Sequence, residues 1–237
     1  HTIIGDGVYV QNVVEPKHEI YTVRGSKARI TLPDSSVVWL NSGSHLTYPN
    51  RFKSDRRNVA IEGEAYFEVV GDSTSPMIID LGRGYQIKVL GTKFNVKNYE
   101  DDQCINVTLY SGKVQLCNVE SPKLIPEINM EPEKSVEINP ITNKILHGSI
   151  TSDSVKNNEW KDGIIIFEET PMSEVIKTIE RWHGVDISVL DNKIYNYVVS
   201  ARFESESVSQ IMEFLSMITY IDYRIDGKNI TLNKRKN

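Results

Sequence analysis

Apolar and polar residues alternate in short segments along roughly the first 150 residues of the chain. Apolar side chains occupy every second position in Ala28–Leu32, and the turn Pro33–Ser36 leads into a second apolar segment, Val37–Leu40. A period of two is typical of strands that bury one face. Because no segment in this part keeps a helical period beyond one turn, we predict an all-β domain of two antiparallel sheets packed face to face, as a sandwich or roll.

A further hairpin is predicted around Ser111-Gly112, since alternating segments lie on both sides of this turn. Cys104 and Cys117 flank the hairpin. With a two-residue turn, Asn106 would pair with Cys117 and leave Cys104 on the diagonal at about 7–8 Å, farther than the roughly 4.4–6.8 Å of a relaxed disulfide. Two free thiols are therefore favoured, and a disulfide, which needs a slipped register or a bulge, stays the alternative.

Beyond residue 158 the pattern changes to the period of an amphipathic helix. Thr170 is the expected N-cap, Pro171 the first helical residue, and Gly184 the left-handed residue that ends the helix. Its apolar positions recur at i, i+3, i+4, i+7 and i+10 and place Trp182 in the core. These positions are Met172, Val175, Ile176, Ile179 and Trp182.

The same unit returns 36 residues later, where Phe203-Glu204 matches Phe167-Glu168. A strand, a helix and a strand thus occur twice. This duplicated β-α-β pattern predicts a small α+β domain with both helices on one face of a sheet, finished by the turn Ile225–Lys228. We accordingly expect two domains: an all-β domain over 20–149, which includes a proline-rich edge loop, and an α+β domain over 159–237, joined by a linker over 150–158.

Composition and charge argue against several functions. Lys and Arg number 27 against 32 Asp and Glu, and the formal net charge of −5 provides no global field for nucleic acid. The longest apolar run, Ile164–Phe167, is far below the roughly 18 residues of a membrane-spanning helix, so the chain is expected to be soluble as given. The five histidines lack metal-site spacing. We expect no catalytic residue, no cofactor and no metal, and therefore favour a binding function.

Two pairs of residues are candidates for function. Tyr195 and Tyr197 alternate with polar neighbours and suggest a partner-binding edge or face, although plain strand packing is the commoner origin of this pattern. Glu62 and Glu64 would share a strand face, as carboxylates of a glycoside hydrolase might, but such hydrolysis also requires a cleft. A solvated strand face accounts for the glutamates more simply.

Four ordered blocks of the sequence resemble FecR-family anti-sigma factors. They are Leu32–Phe52, Gly63–Val69, Val89–Val96 and Leu109–Val114. Downstream, Trp160, Gly163, Phe167 and Arg181–Gly184 resemble the STN-like C-terminal domain of family members from Bacteroides-type bacteria. The resemblance covers roughly residues 20–233. Ser35 and Glu133 stand where members often have Gly, and His183 where Tyr is common; these departures concern turns and the surface.

The resemblance implies the periplasmic part of a regulator that is tethered to the inner membrane by an upstream helix outside this chain, with 1–19 as the juxtamembrane segment. The implied periplasmic partner is the signalling domain of a TonB-dependent outer-membrane transporter, received by residues 160–234 and relayed by the all-β domain. An ECF sigma factor would bind an absent cytoplasmic part. Neither nucleic acid nor direct membrane insertion of this fragment is expected. A secreted carbohydrate-binding or adhesive β-sandwich protein is the alternative.

Overall fold

The computed structural model of the chain describes residues 2–3, 9–10, 16–120, 127–149 and 154–235. Its helices are α1 (Met172–His183) and α2 (Val208–Ile218), and stretches of 3-10 helix cover Ser154–Asp162 and Asn192–Asn196. No helix in these ranges is long and apolar enough to cross a membrane. The strands are β1 (Thr2–Ile3), β2 (Tyr9–Val10), β3 (Lys17–Tyr21), β4 (Ala28–Thr31), β5 (Val37–Leu40), β6 (His45–Pro49), β7 (Arg57–Glu68), β8 (Met77–Asp80), β9 (Tyr85–Val89), β10 (Lys93–Asn98), β11 (Ile105–Ser111), β12 (Val114–Asn118), β13 (Ile128–Met130), β14 (Lys134–Asn139), β15 (Lys144–Ser149), β16 (Ile165–Pro171), β17 (Asp186–Val189), β18 (Val198–Phe203), β19 (Ile221–Asp226) and β20 (Asn229–Lys234).

One long strand, β7, belongs to both sheets of the all-β part. Its first half lies in a sheet of order β3-β6-β7-β8-β9-β12-β13, and its second half lies in a sheet of order β4-β5-β7-β10-β11-β14-β15. Between the halves stands Gly63 with a φ of +95°, and a Cβ at this position would lie 2.3 Å from the hydroxyl oxygen of Ser44. Only glycine therefore fits where β7 passes from one sheet to the other.

The apolar core of this part is filled by side chains from both sheets. Phe67 of β7 and Phe94 of β10 stack near its centre with ring centroids 5.0 Å apart, and both are fully buried. The prediction of an all-β part is confirmed. It needs one correction, since β8 runs parallel to β7, with Met77 opposite Arg57. Because β7 ends in the second sheet, the chain returns to the first sheet beside the start of β7 and continues in the same direction.

The predicted hairpin at Ser111-Gly112 is wrong. Strand β11 pairs with β10 and β14 in one sheet, whereas β12 pairs with β9 and β13 in the other. The turn therefore carries the chain across the sandwich. Cys104 precedes β11 and Cys117 lies in β12, opposite Gln86, so the two side chains belong to different sheets and both are free thiols. Alternation in the sequence shows which face of a strand is buried, but not which strand is its neighbour.

The α+β part contains the predicted duplication. The units β16-α1-β17 and β18-α2-β19 have helices that begin 36 residues apart, at Met172 and Val208. The expected single sheet is wrong, however: among the described strands β16 pairs with β18 alone, while β17 and β19 flank β20 in a second sheet. Both sheets and both helices share one apolar core. The first strands of both units, β16 and β18, contact α1, whereas α2 contacts β19.

The C-terminal end of α1 lies where the sequence predicts it, but its N-terminal end differs from the prediction. Gly184 ends α1 at a φ of +64°, as predicted, and its N–H donates to the carbonyl of Glu180. The N-cap position is occupied by Pro171 and not by Thr170, and no side chain caps the helix there. Thr170 is instead part of β16, where its hydroxyl donates to the carbonyl of Glu168.

Segments with weak alternation were harder to predict. Strand β15 was missed, because its Lys, His, Gly and Ser residues give little apolar pattern. Strand β13 supplies a short sheet edge within the proline-rich stretch 120–132, of which 121–126 lie outside the described residues. In the predicted linker, 150–153 likewise lie outside, and the following residues are 3-10 helical.

Ser35 adopts the left-handed conformation, with a φ of +69°, at an exposed position in the turn between β4 and β5. This conformation costs a residue with a Cβ roughly 1–2 kcal/mol, partly offset by the greater freedom of unfolded glycine. We therefore expect Ser35→Gly to raise the free energy of unfolding by about 0.5–1 kcal/mol in urea unfolding. Ser36→Gly is the matched control: its buried hydroxyl donates to Asp34 and accepts from Val70 N–H, so it should destabilise. If Ser35→Gly were as stable as the wild type or less stable, the left-handed conformation of Ser35 would not be strained.

Candidate functional site

The two tyrosines predicted to bind a partner do not lie on a strand. Tyr195 belongs to the 3-10 stretch between β17 and β18 and is 42% exposed. Tyr197 follows it, packs half-buried against the α+β core, and accepts a hydrogen bond from Met172 N–H through its carbonyl. The strand prediction is wrong because the Asp191 carboxylate accepts from the N–H of Lys193 and starts the 3-10 turn. Tyr195 is therefore the better placed of the two to meet a partner.

Tyr195 is one of three exposed apolar side chains on the connection from β17 to β18. Leu190 and Val198, at the two ends of this connection, are 66% and 59% exposed. We call these three residues the connection surface. Exposed aliphatic and aromatic side chains grouped on a short segment favour contact with another protein.

The α+β part is fastened to the all-β part by a buried ion pair. Arg181 of α1 donates from Nη2 to Oδ1 of Asp102 at 2.7 Å, and its guanidinium lies 3.8 Å from the ring centroid of Tyr99. The ammonium groups of Lys97 and Lys177 stand 3.6 Å from the same carboxylate. Burial raises the pKa of Asp102, but the three cations lower it by more, so the net pKa is below the ordinary value. The carboxylate is thus held in its charged form.

A second contact places a lysine of the all-β part between two tryptophans. Lys27 Nζ donates to the carbonyl of Trp160 at 2.6 Å and lies 3.3 Å from the ring centroid of Trp182. Desolvation lowers the pKa of Lys27 to about 8, while the nearby Glu64 carboxylate favours the ammonium. Trp182 packs against the α+β core, as predicted, but it is only half-buried because its ring also faces Lys27. The buried indole N–H of Trp160 donates to Asn95 in β10 at 3.2 Å.

The end of α1 completes the joint. Arg181 accepts a hydrogen bond through its carbonyl from Gly25 N–H at 2.7 Å, and the Arg24 side chain pairs with Asp186 at 2.6 Å. A Cβ on Gly184 would lie 3.0 Å from the carbonyl oxygen of Arg24. The glycine that ends the helix therefore also permits the close approach of the two parts. We call Arg24, Lys27, Asp102, Trp160 and Arg181 the joint.

A cleft of about 400 Å³ lies beside the joint. Glu64 lines it, but its two carboxylate oxygens already accept hydrogen bonds from the amides of Asn41 and Asn95 at 2.8 and 3.0 Å. Glu62 lines other clefts, so the two glutamates do not face each other across one site, as the hydrolase interpretation requires. Among the described residues no group of three His, Cys, Asp or Glu could hold a metal ion.

Comparisons with known proteins place both parts in one family. The family model described as FecR protein matches residues 18–115, and the model described as FecR, C-terminal, matches 164–232. Two crystal structures from Parabacteroides distasonis ATCC 8503, provisionally assigned as anti-sigma factors, share 31% and 32% of their residues with the chain. Each has a TM-score of 0.81 and is covered over its full length, by 93% and 92% of this chain. The chain belongs to the FecR family of anti-sigma factors. A comparison with curated proteins gives no match.

The joint of this FecR-family protein was missed by sequence reasoning, although the motif Arg181–Gly184 was noted. Asp102 is 79 residues from Arg181, and Trp160 is 133 residues from Lys27. Pairs at such separations leave no local periodicity to read. The available signal was the coincidence of two features: adjacent acidic residues, Asp101-Asp102, in a loop, and an arginine beside the apolar stripe of a helix.

Proposed function

We propose that the chain is the periplasmic sensor and relay part of a transmembrane anti-sigma regulator. In this proposal a TonB-dependent outer-membrane transporter presents its signalling domain in the periplasm, and the α+β part of the chain binds it. The signal then controls an ECF sigma factor through a cytoplasmic part beyond a membrane helix upstream of this chain. Membership of the FecR family of anti-sigma factors supports the regulatory role, which requires binding and no chemical step.

The observation that carries the proposal is the asymmetry of the α+β part. Its connection surface offers Leu190, Tyr195 and Val198 to a partner, while the end of α1 is fastened to the all-β part through Arg181 and Gly184. A docked protein would thus meet a unit that is itself fixed to the all-β part at the end of α1. Because the fastening is made of short directional contacts, displacement of α1 is passed to the loop that holds Asp102.

Tyr195→Ser is expected to weaken binding of the cognate transporter's signalling domain about tenfold or more, since exposed aromatic residues carry much of the energy of protein interfaces. Titration calorimetry with that purified domain measures the loss. The double variant Tyr195→Ser/Tyr197→Ser should bind the signalling domain no more tightly than Tyr195→Ser does. Tyr220→Ser removes a ring elsewhere on the α+β part that is even more exposed, at 64%, and is the matched control.

Circular dichroism and thermal unfolding establish that each variant is folded. Tyr195→Ser with wild-type affinity would remove the connection surface from the interface. Absence of any binding by the wild-type chain to the signalling domain would contradict the proposed receptor role itself.

A further inference from the structure

Strand β19 forms an unpaired edge of the three-stranded sheet β17-β20-β19. It is six residues long, contains neither Pro nor Gly, and pairs with β20 alone among the described strands. Exposed apolar side chains lie beside this edge, at the end of α2 and in β19. They are Met217, Ile218, Tyr220 and Tyr223. A free strand edge next to apolar surface is a site for pairing with another strand.

The hairpin register shows which backbone groups of β19 are free. Asp226 stands opposite Asn229 across the two-residue turn Gly227-Lys228, so these two residues exchange both of their hydrogen bonds. Even-numbered residues of β19 therefore bond to β20; in agreement, the carbonyl of Tyr220 accepts from Arg235 N–H at 2.9 Å. Odd-numbered residues direct N–H and C=O outward, among them Tyr223 and Ile225.

Two of the other edges of the small sheets, those of β16 and β17, are protected in ways that β19 is not. Strand β16 carries a bulge at Glu168-Glu169, where Glu169 has a φ of +45°, and it ends at Pro171. Strand β17 is four residues long. Bulges, prolines and short edges prevent strand addition. Strand β18 is six residues long, lacks Pro and Gly and pairs with β16 alone among the described strands, so its edge is open as well. Its one charged residue, Arg202, already pairs with Glu159 and Glu204. Strand β19 differs from β18 in the row of charges that it carries.

The charges of β19 specify what can pair with it. Asp222, Arg224 and Asp226 occupy successive positions on the outer face of the sheet, and all three are exposed. The order of signs is negative, positive, negative. The carboxylate of Asp222 already accepts one hydrogen bond, from Nε of Arg235 at 2.9 Å. A strand that pairs with β19 is favoured when it places a positive group opposite Asp222 and a negative group opposite Arg224.

We propose that β19 pairs antiparallel with β19 of a second copy of this chain, about a two-fold axis at Tyr223. In this register Tyr223 faces Tyr223 and Ile221 faces Ile225, all with outward-directed backbone groups, so every hydrogen bond of the ladder can form. Asp222 faces Arg224 twice, in the closer non-hydrogen-bonded positions that favour ion pairs. The sequence of β19 is thus complementary to itself. The two three-stranded sheets become one sheet of six strands.

Neighbouring features are compatible with this register. Shifting the axis to Arg224 would place Arg224 against Arg224 and Asp222 against Asp226, which repels. Arg235 also donates to the carbonyl of Ile221 at 3.3 Å, and a carbonyl oxygen has a second lone pair for the partner strand. The turn at Lys228 lines a cleft with Tyr21 of the all-β part, so antiparallel pairing sends the two all-β parts to opposite ends of the joined sheet.

Cross-linking tests the axis directly. In a chain with Cys104→Ser and Cys117→Ser, Tyr223→Cys is expected to form a disulfide-linked dimer under mild oxidation, because facing residues in a hydrogen-bonded pair have Cα atoms about 5.5 Å apart. Asp226→Cys is the matched control: it is exposed on the same strand but far from its symmetry mate, and should stay monomeric on non-reducing gels. Equal cross-linking of the two variants, or none of Tyr223→Cys, would overturn the pairing.

Sedimentation velocity over a wide concentration range tests the charges. The wild type should show a monomer–dimer equilibrium, and Arg224→Asp should raise the dissociation constant about tenfold or more by setting like charges opposite each other. Asp222 also pairs with Arg235 of its own chain, so the charge swap is made in an Arg235→Ser background. There Asp222→Arg/Arg224→Asp should restore the background's dissociation constant to within about threefold. A monomeric wild type, or no rescue by the double variant, would overturn the proposal. Weakening by Asp226→Arg would overturn the register.

Pairing through β19 does not depend on the transporter partner. The connection surface adjoins β17, and β19 lies at the opposite edge of the same sheet. Tyr195→Ser is therefore expected to leave the dimer intact, and Arg224→Asp to leave transporter binding intact. The two interactions can fail separately.

Discussion

Replacing Arg57 with Met is expected to lower the free energy of unfolding by about 3–5 kcal/mol, the usual cost of breaking a buried ion pair from one side. The Arg57 side chain is 3% exposed and lies where the two sheets meet the returning chain after β7. Its guanidinium donates to the carbonyls of Val70, Ser75 and Leu90 at 2.9, 2.8 and 3.3 Å and to the Asp34 carboxylate at 2.6 Å. Met fills similar volume but removes the cation from the Asp34 carboxylate, which keeps only the donors of Ser36. It also removes the guanidinium donor from the carbonyls of Val70 and Ser75.

Arg56→Met is the matched control, because Arg56 pairs with Asp55 on the surface and should change stability by less than about 0.5 kcal/mol. Urea unfolding followed by circular dichroism measures both variants. A double-mutant cycle with Asp34→Asn then separates the ion pair from the carbonyl contacts. Arg57→Met as stable as Arg56→Met would show that the buried guanidinium is not needed to hold the sheets together.

Arg181→Met is expected to lower the free energy of unfolding by about 2–3 kcal/mol and to loosen the joint. The loss is smaller than at Arg57 because Lys97 and Lys177 still face Asp102 when Arg181 is removed. The contact of the guanidinium with the Tyr99 ring disappears as well. Urea unfolding gives the stability, and small-angle scattering should report a larger radius of gyration for Arg181→Met.

Low pH should reproduce part of the loss of stability expected for Arg181→Met, because it protonates Asp102. Asp102 has a folded pKa below its unfolded value of about 3.9, so its contribution is complete above that value and is lost as pH falls through the folded pKa. The stability difference between wild type and Asp102→Asn should therefore be largest above about pH 5 and shrink below about pH 4. A difference that stays constant down to pH 2, roughly two units below the unfolded pKa, would mean that Asp102 is not held charged by the cations. Lys177→Met, which removes a cation at 3.6 Å, should shift the acid transition less than Arg181→Met.

The sequence pattern correctly predicted features that depend on residues close together in the chain, namely the two α-helices and several of the turns. The 36-residue repeat located both helices, because each must show an apolar stripe whatever it packs against. Gly184 was identified as the helix end from the same reasoning, and its φ of +64° confirms it. The departure of Ser35 from the family's glycine marked a position that indeed lies in the left-handed region.

Partner choice between strands could not be predicted in the same way. Strand β11 alternates whether β12 is its neighbour or belongs to the opposite sheet, so the turn at Ser111-Gly112 was mistaken for a hairpin. The division of the α+β strands into two sheets has the same origin. Tyr195 was found as a candidate, but its 3-10 turn depends on Asp191, whose short polar side chain also suits an ordinary loop.

The membership of β7 in two sheets has a consequence for the order of folding. Neither sheet can be completed without a strand that the other also needs, and the partners of β7 come from β5 to β10 on both sides of it in the chain. During synthesis, the first strands to emerge therefore cannot form a stable sheet by themselves. Folding of the all-β part is expected to be slow and all-or-none, with long-range closure as its limiting event.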